Sequence, residues 1–288
     1  MAIVLLLAIL ITATAFWQTR TAQLNRFRSQ FESDAAARAA LITKEAEKSL
    51  LATKSLGWSL GAKGNVDSKS FEAFAAACLI ERKELQALSW NPLVRGTERF
   101  SFEQSARQEG LNQFRITERN LDGRFIAAGE RGAYYPVFHI EPLRGNEAAV
   151  GFDVGSDSVR LAALERARDT GEATVTEPIQ LVQQEGGQAG FLVFVPVYRE
   201  GMPKANVEER RAALEGFAVG VYQVGTVVAA ALRGVEPIGL SLALFDRSAP
   251  VERQSMYRWE DRLTGNRSWK SIFFSAAPRA TASNPFGD

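Results

Sequence analysis

The sequence predicts an α+β protein: a long N-terminal helix that begins in a membrane, then two small sandwiches, each an antiparallel sheet carrying helices. Three observations lead there. Residues Met1 to Trp17 carry no charge, and the first charged residue is Arg20. From Thr19 to Leu56 there is no Pro or Gly, and Ala, Leu, Lys, Glu and Arg dominate, a composition that favours helix. Beyond Gly57, short strand-like and helix-like runs follow one order and then start a similar order again, without matching residue by residue.

Residues 1–18 are read as a transmembrane helix. The apolar run is slightly short of the roughly 20 residues a span needs, with Trp17 suited to the interface. A cleaved signal peptide ending at Ala13-Thr14-Ala15 is the rival, but the chain lacks a basic start and a helical pattern follows at once. Residues 19–60 form the stalk. Leu24, Phe27, Phe31, Ala35, Arg38 and Ile42 step by three and four, a weak heptad seam that predicts a homodimer through this helix. Gly57, Gly61 and Gly64 are expected to end it.

Residues 61–213 are expected to form the first sandwich and 214–288 the second. Phe71, Phe74, Ala75, Cys78 and Leu79 mark an amphipathic helix started by Asp67 or Ser68. Leu85–Trp90 reads as a strand. Ser101 and Gln104 form a capping box for a helix ending at Gly110, and Phe114–Glu118 returns as a strand. Val150–Val154 is an apolar strand around Gly151 and Asp153. Ser156 then offers an N-cap oxygen, Asp157 suits the helix dipole, and Gly171 suits a left-handed C-cap. Gly186-Gly187 predicts a hairpin between Ile179–Gln184 and Phe191–Tyr198, with Pro196 marking an edge or bend. Glu200 to Ala213 is a polar linker with a short helix. Phe217–Tyr222, Val224–Leu232 and Leu240–Asp246 then read strand, helix, strand, and Arg258–Leu263 pairs with Arg267–Ser275.

Composition excludes several functions. With 34 Lys+Arg against 33 Asp+Glu, no basic face for nucleic acid is indicated. One Cys and one His give no disulfide and argue against a Cys/His metal site, and no cofactor motif is present. Cys78 reads as a small buried hydrophobe. His139 and Glu141 share a strand face but have no second His to help them, and no nucleophile elbow surrounds a Ser. Catalysis is not supported.

The run from Tyr134 to Pro178, YYPVFHIEPLRGNEAAVGFDVGSDSVRLAALERARDTGEATVTEP, resembles the signature of the CHASE domain, an extracytoplasmic sensory module of membrane receptors. LSWNPLV and RFSFEQSARQEGLNQFRITE resemble CHASE elements in their usual order. The resemblance implies a long helix followed by two tandem PAS-like subdomains, with the ligand pocket in the first, membrane-distal one. Motif alignment with the plant cytokinin receptors of this family then implies pocket walls at Val154, Thr176, Val182, Phe194, Phe217 and Gly220. Arg160 departs from the pattern, because those receptors carry an acidic residue there to accept hydrogen bonds from an adenine-type base. A guanidinium has donors only, so a cytokinin is not the expected ligand; facing the pocket, it favours a carboxylate, phosphate or electron-rich carbonyl.

The function expected is therefore ligand sensing for a membrane-bound receptor, with residues 19–288 periplasmic and residues 1–17 in the inner membrane. Similar proteins flank this region with two membrane helices and carry a histidine kinase or diguanylate cyclase. No such output domain, and no second span, is seen before Asp288, so a truncated receptor or sensory fragment is expected. A tethered binding protein without output is the alternative, and a hydrolase built on His139 and Glu141 a remoter one.

Overall fold

A computed structural model describes residues 1–61, 68–180, 189–235, 241–247, 251 and 254–259. The helices are α1 (Ala2–Gly61), α2 (Ser68–Glu81), α3 (Arg99–Gln108), α4 (Ser158–Thr170), α5 (Val207–Ala213) and α6 (Val224–Ala231). The strands are β1 (Leu85–Pro92), β2 (Val94–Arg95), β3 (Thr117–Arg119), β4 (Phe125–Ala127), β5 (Ala133–Tyr134), β6 (His139–Glu141), β7 (Thr174–Val175), β8 (Ile179–Gln180), β9 (Ala189–Tyr198), β10 (Leu214–Gln223), β11 (Leu242–Phe245) and β12 (Ser255–Trp259). The chain is α+β, with a long first helix and antiparallel sheets.

Two compact units are present, residues 1–44 and 45–288. The first is a stretch of α1 alone. Its apolar N-terminal side chains are exposed, as are Leu24, Phe27 and Phe31 of the seam. This is the one helix among the described residues that is long and apolar enough to cross a membrane. The helix does not break at Gly57 as expected but continues to Gly61, while Gly64 lies outside the described residues. Gly57 is kept for close approach: a Cβ there would lie 2.8 Å from Val195 Cγ1 on β9.

The second unit is built on a six-stranded antiparallel sheet, ordered β6-β1-β10-β9-β7 with β8 also on β9. The expected boundary between residues 213 and 214 runs through this sheet. Leu214–Gln223 does not open a second subdomain; it pairs with β1 along one side and β9 along the other. Its burial explains why. Nine of its ten residues are buried, so a strand with this sequence needs cover on both faces. Pro196 sits inside β9 yet costs no ladder bond: β7 pairs only as far as Phe194, and no strand flanks Pro196 on that side among the described residues. The Gly186-Gly187 turn and most of the expected pair Arg258–Leu263 and Arg267–Ser275 lie outside the described residues; β11 pairs with β12.

Strand alternation sorts the core into two faces. On one, Leu192, Phe194, Phe217, Val219 and Val221 pack under Ala163, Leu164 and Ala167 of α4. On the other, Val193, Val195, Val197, Ala218 and Tyr222 meet Leu50, Leu56 and Leu60 of α1 and Phe71 of α2. A third cluster joins α3 to the hairpins through Ala106, Phe114, Ile116 and Tyr134. The end of α4 is fastened to α5 by Asp169, which lies 2.6 Å from both Arg211 and Arg168. Those two guanidinium groups hold its carboxyl well below the usual range.

Hydroxyl groups bind α1 to the sheet centre. Tyr222 donates to the Ser49 carbonyl at 2.6 Å, so Thr53, 2.8 Å away, must donate to the Tyr222 oxygen. Burial pushes the Tyr222 hydroxyl pKa up, which keeps it a donor. Gly220 makes the contact possible, since a Cβ there would fall 2.2 Å from Thr53 Oγ1. Gly220→Ala is therefore expected to destabilise the fold by about 1–3 kcal/mol through overpacking. A urea midpoint equal to wild type would show that α1 can move away at no cost.

Candidate functional site

The segment before α4 is shaped by Asp153. Its side chain is fully buried and accepts from the backbone N–H of Tyr135 at 2.8 Å and of Gly155 at 3.1 Å. Arg131 completes it at 3.0 Å and also pairs with Glu118. Burial raises the Asp153 pKa, while the N–H groups and Arg131 pull it back. Gly151 is at φ +83, and a Cβ would meet the Arg115 carbonyl oxygen at 2.2 Å. The expected strand Val150–Val154 is thus two bridges between short 3-10 turns at Glu147–Ala149 and Val154–Ser156.

The helix then starts one residue later than expected. Asp157, not Ser156, is the N-cap, accepting from the Arg160 N–H at 3.0 Å; Ser156 donates instead to the Asp153 carbonyl. Gly171 is the left-handed C-cap, as expected. At the other expected cap, α3 already begins at Arg99, and Ser101 donates back to the Glu98 carbonyl. The capping box is not used because Glu98 and Arg99 continue a preceding 3-10 turn into the helix.

The structure brings together part of the expected pocket. Val154, Phe194 and Phe217 belong to one cluster, with Phe194 and Phe217 edge-to-face at 6.0 Å and Tyr135 against Phe217 at 5.4 Å. Thr176 is buried at its side, where its hydroxyl oxygen accepts from the Leu192 N–H at 3.1 Å and keeps its own proton to donate. Arg160 is only 6% exposed, its guanidinium 5.1 Å from the Phe152 ring centre. Burial lowers its pKa; Asp157 opposes this and Arg119 adds to it. Gly220 is not in this group. It faces Thr53 on the opposite side of the sheet, because it stands three positions along β10 from Phe217 and residues on one face of a strand are an even number of positions apart. Val182 lies outside the described residues.

Tyr135 and Phe152 belong to the same cluster but were not singled out by the reading of the sequence, and Asp153 was named only as part of the apolar run. The signal was present: Phe152 and Val154 are two apart within the same apolar run. On the opposite face, an open groove of about 530 Å³ is lined by Lys54, Trp58, Val197, Tyr198 and Lys204, and contains none of the expected residues. His139 and Glu141 lie on β6, with the His139 ring 5.6 Å from Phe71 and 4.3 Å from Phe138. Burial and Glu72 raise the Glu141 pKa.

A family model, the CHASE domain, matches residues 64–257. The chain belongs to the CHASE family. Among curated relatives, the hybrid signal transduction histidine kinase A of Dictyostelium discoideum is 25% identical over 247 residues, covering 83% of this chain and 12% of the kinase. The probable histidine kinase 4 of Oryza sativa subsp. japonica is 30% identical over 169 residues, 58% of this chain and 15% of that protein. The chain thus spans under a sixth of these relatives, and CHASE is a sensory, non-catalytic region. Two solved structures show a remoter likeness at 13% identity. One is the ligand-binding domain of the amino acid chemoreceptor PctC of Pseudomonas aeruginosa in complex with GABA, with a TM-score of 0.41 over 73% of this chain and 67% of that one. The other is an extracellular ligand binding receptor of Desulfohalobium retbaense, at 0.38 over 71% and 28%.

Asp153 holds the segment before α4 in shape, so Asp153→Ala is expected to cost on the order of 3 kcal/mol, by stranding two N–H groups and a guanidinium. Chemical denaturation checks this. A loss below about 0.5 kcal/mol would mean that water replaces the carboxylate and that the turn does not depend on it.

Proposed function

We propose that this chain is the extracytoplasmic sensory region of a membrane-bound receptor and that it binds a small molecule against the Val154, Thr176, Phe194 and Phe217 wall. The observation that carries this is the CHASE match over residues 64–257, with curated relatives that are histidine kinases. The joint burial of Val154, Thr176, Phe194 and Phe217 supports it, with Val154, Phe194 and Phe217 in one cluster and Thr176 bonded to β9 beside them. In the full-length receptor, residues 1–17 anchor the region in the plasma membrane and the remainder faces the periplasm. The output is a histidine kinase or nucleotide cyclase in a segment beyond this chain. A homodimer forms along Leu24, Phe27 and Phe31, which are exposed and in register for a seam.

Signalling follows from two helices sharing one sheet. A ligand against Phe194 and Phe217 acts on the α4 face, and the same β10 backbone holds α1 on the other face through Tyr222 and Thr53. A ligand shifts the receptor only if it binds one arrangement more tightly than the other.

The test is thermal unfolding of the detergent-solubilised chain against a panel of purines, organic acids and lipidic signals. A true ligand at about 100 times its Kd stabilises by about 2.7 kcal/mol. That stabilisation should fall in Thr176→Val. A panel without one stabilising compound, or a hit equally strong in Thr176→Val and Phe217→Leu, counts against this pocket.

A further inference from the structure

The open groove of about 530 Å³ lies between the end of α1 and the last residues of β9. Two glycines set the spacing of these sides. A Cβ on Gly57 would lie 2.8 Å from Val195 Cγ1, and one on Gly61 3.7 Å from Val197 Cγ1. The helix therefore approaches closely and runs in the same direction as the strand. Along that direction Lys54 comes first, Trp58 stands midway, and Glu200 and Lys204 close the far end on the turn after β9. Helical side chains lean towards the N-terminus, which carries the Lys54 ammonium outward. From Lys54 to Gly61 the helix rises about 10 Å.

Charge in this groove is separated by position. The Lys204 ammonium lies 5.8 Å from the Tyr198 ring centre, which leaves Glu200 as the exposed acid at its end. Among the described residues, neither Lys54 nor Glu200 takes part in an ion pair. A dipolar ligand complements both ends, whereas a simple anion or cation meets only one. Trp58, 64% exposed, offers a ring that an occupant can cover. The strand edge adds backbone groups. Leu192 turns both its N–H and its carbonyl to the side of Thr176, so by parity the Pro196 carbonyl and the Tyr198 N–H turn to that side too. β7 pairs only as far as Phe194, and beyond it no strand flanks β9 there among the described residues. An acceptor and a donor on a strand edge match an extended peptide.

We propose that this groove is a second binding site, which takes a short zwitterionic peptide antiparallel to β9, its carboxylate at Lys54 and its ammonium at Glu200. Extended chain covers about 10 Å in three residues, so a tripeptide fits the span. The site is separate from the wall of Val154, Phe194 and Phe217, because Val195 and Phe194 face opposite sides of β9. An occupant touches α1 and β9 together and so holds the helix against the sheet. Only the consequence for signalling rests on the sensing reading above; the binding does not.

The experiment is thermal unfolding of the full chain in detergent with trialanine and alanyl-phenylalanyl-alanine. Their N-acetylated and C-amidated forms and free phenylalanine are run at the same concentrations. At least one free tripeptide should raise Tm, while free phenylalanine, too short to reach both ends, should not. Blocking either terminus should weaken binding about tenfold, the loss of one charge-assisted contact. Lys54→Gln should weaken the free acid but leave the amide as it was, and Glu200→Gln should weaken the free amine but leave the acetylated form as it was. Both variants should keep the ligand-free Tm almost unchanged. The proposal is overturned if no tripeptide raises Tm, if the blocked forms match the free one, or if affinity survives both substitutions. A tripeptide whose shift is lost in Thr176→Val but kept in Lys54→Gln also overturns it, and leaves the sensing reading standing.

Discussion

The two-sided burial of β10 is the constraint on which the rest of the structure depends. A strand reading Leu-Glu-Gly-Phe-Ala-Val-Gly-Val-Tyr-Gln has apolar groups on both faces, and water can be excluded from both only at the centre of a layered structure. β1 and β9 satisfy its backbone on either side. The α4 layer and the α1–α2 layer then cover its faces with different chemistry. One is large and aromatic, with Phe194 and Phe217; the other is close-packed, with Ala218, Gly220 and Tyr222.

That asymmetry assigns a task to each face. Against α4, the bulky rings of Phe194 and Phe217 form the wall proposed above for a small molecule. Against α1, small residues and buried hydroxyls leave little freedom, so the helix must follow the sheet. Interiors this dense respond to strain by moving between discrete packings, not by deforming smoothly. A sensory region needs both properties: an interior that can be altered on one side and a rigid connection on the other.

Much of this was legible in the sequence, and the omissions have physical causes. The long helix followed from composition, since no Pro or Gly interrupts residues 19 to 56. The Asp153–Gly171 stretch carried its own punctuation, although the cap fell on Asp157 because Ser156 was already bonded to the Asp153 carbonyl. Membership of β10 in the main sheet was not legible: its partner β1 lies more than a hundred residues earlier, and local patterns do not report such pairing. Gly220 is a different case. Parity along the strand alone separates it from Phe217, and applying that rule would have removed it from the pocket wall. The strand expected at Phe114–Glu118 overlaps β3 at Thr117 and Glu118, but its partner β4 was overlooked because it is only three residues long, too short for any periodicity to register.

Native-state hydrogen exchange is the most direct test of a single sheet centred on β10. The amides of Phe217 to Tyr222 should exchange only with global unfolding, with the same free energy as those of Leu88 to Asn91 and Val193 to Val195. Exchange of residues 214–259 as a separate, less stable unit, while 85–92 and 189–198 stay protected, would contradict the account.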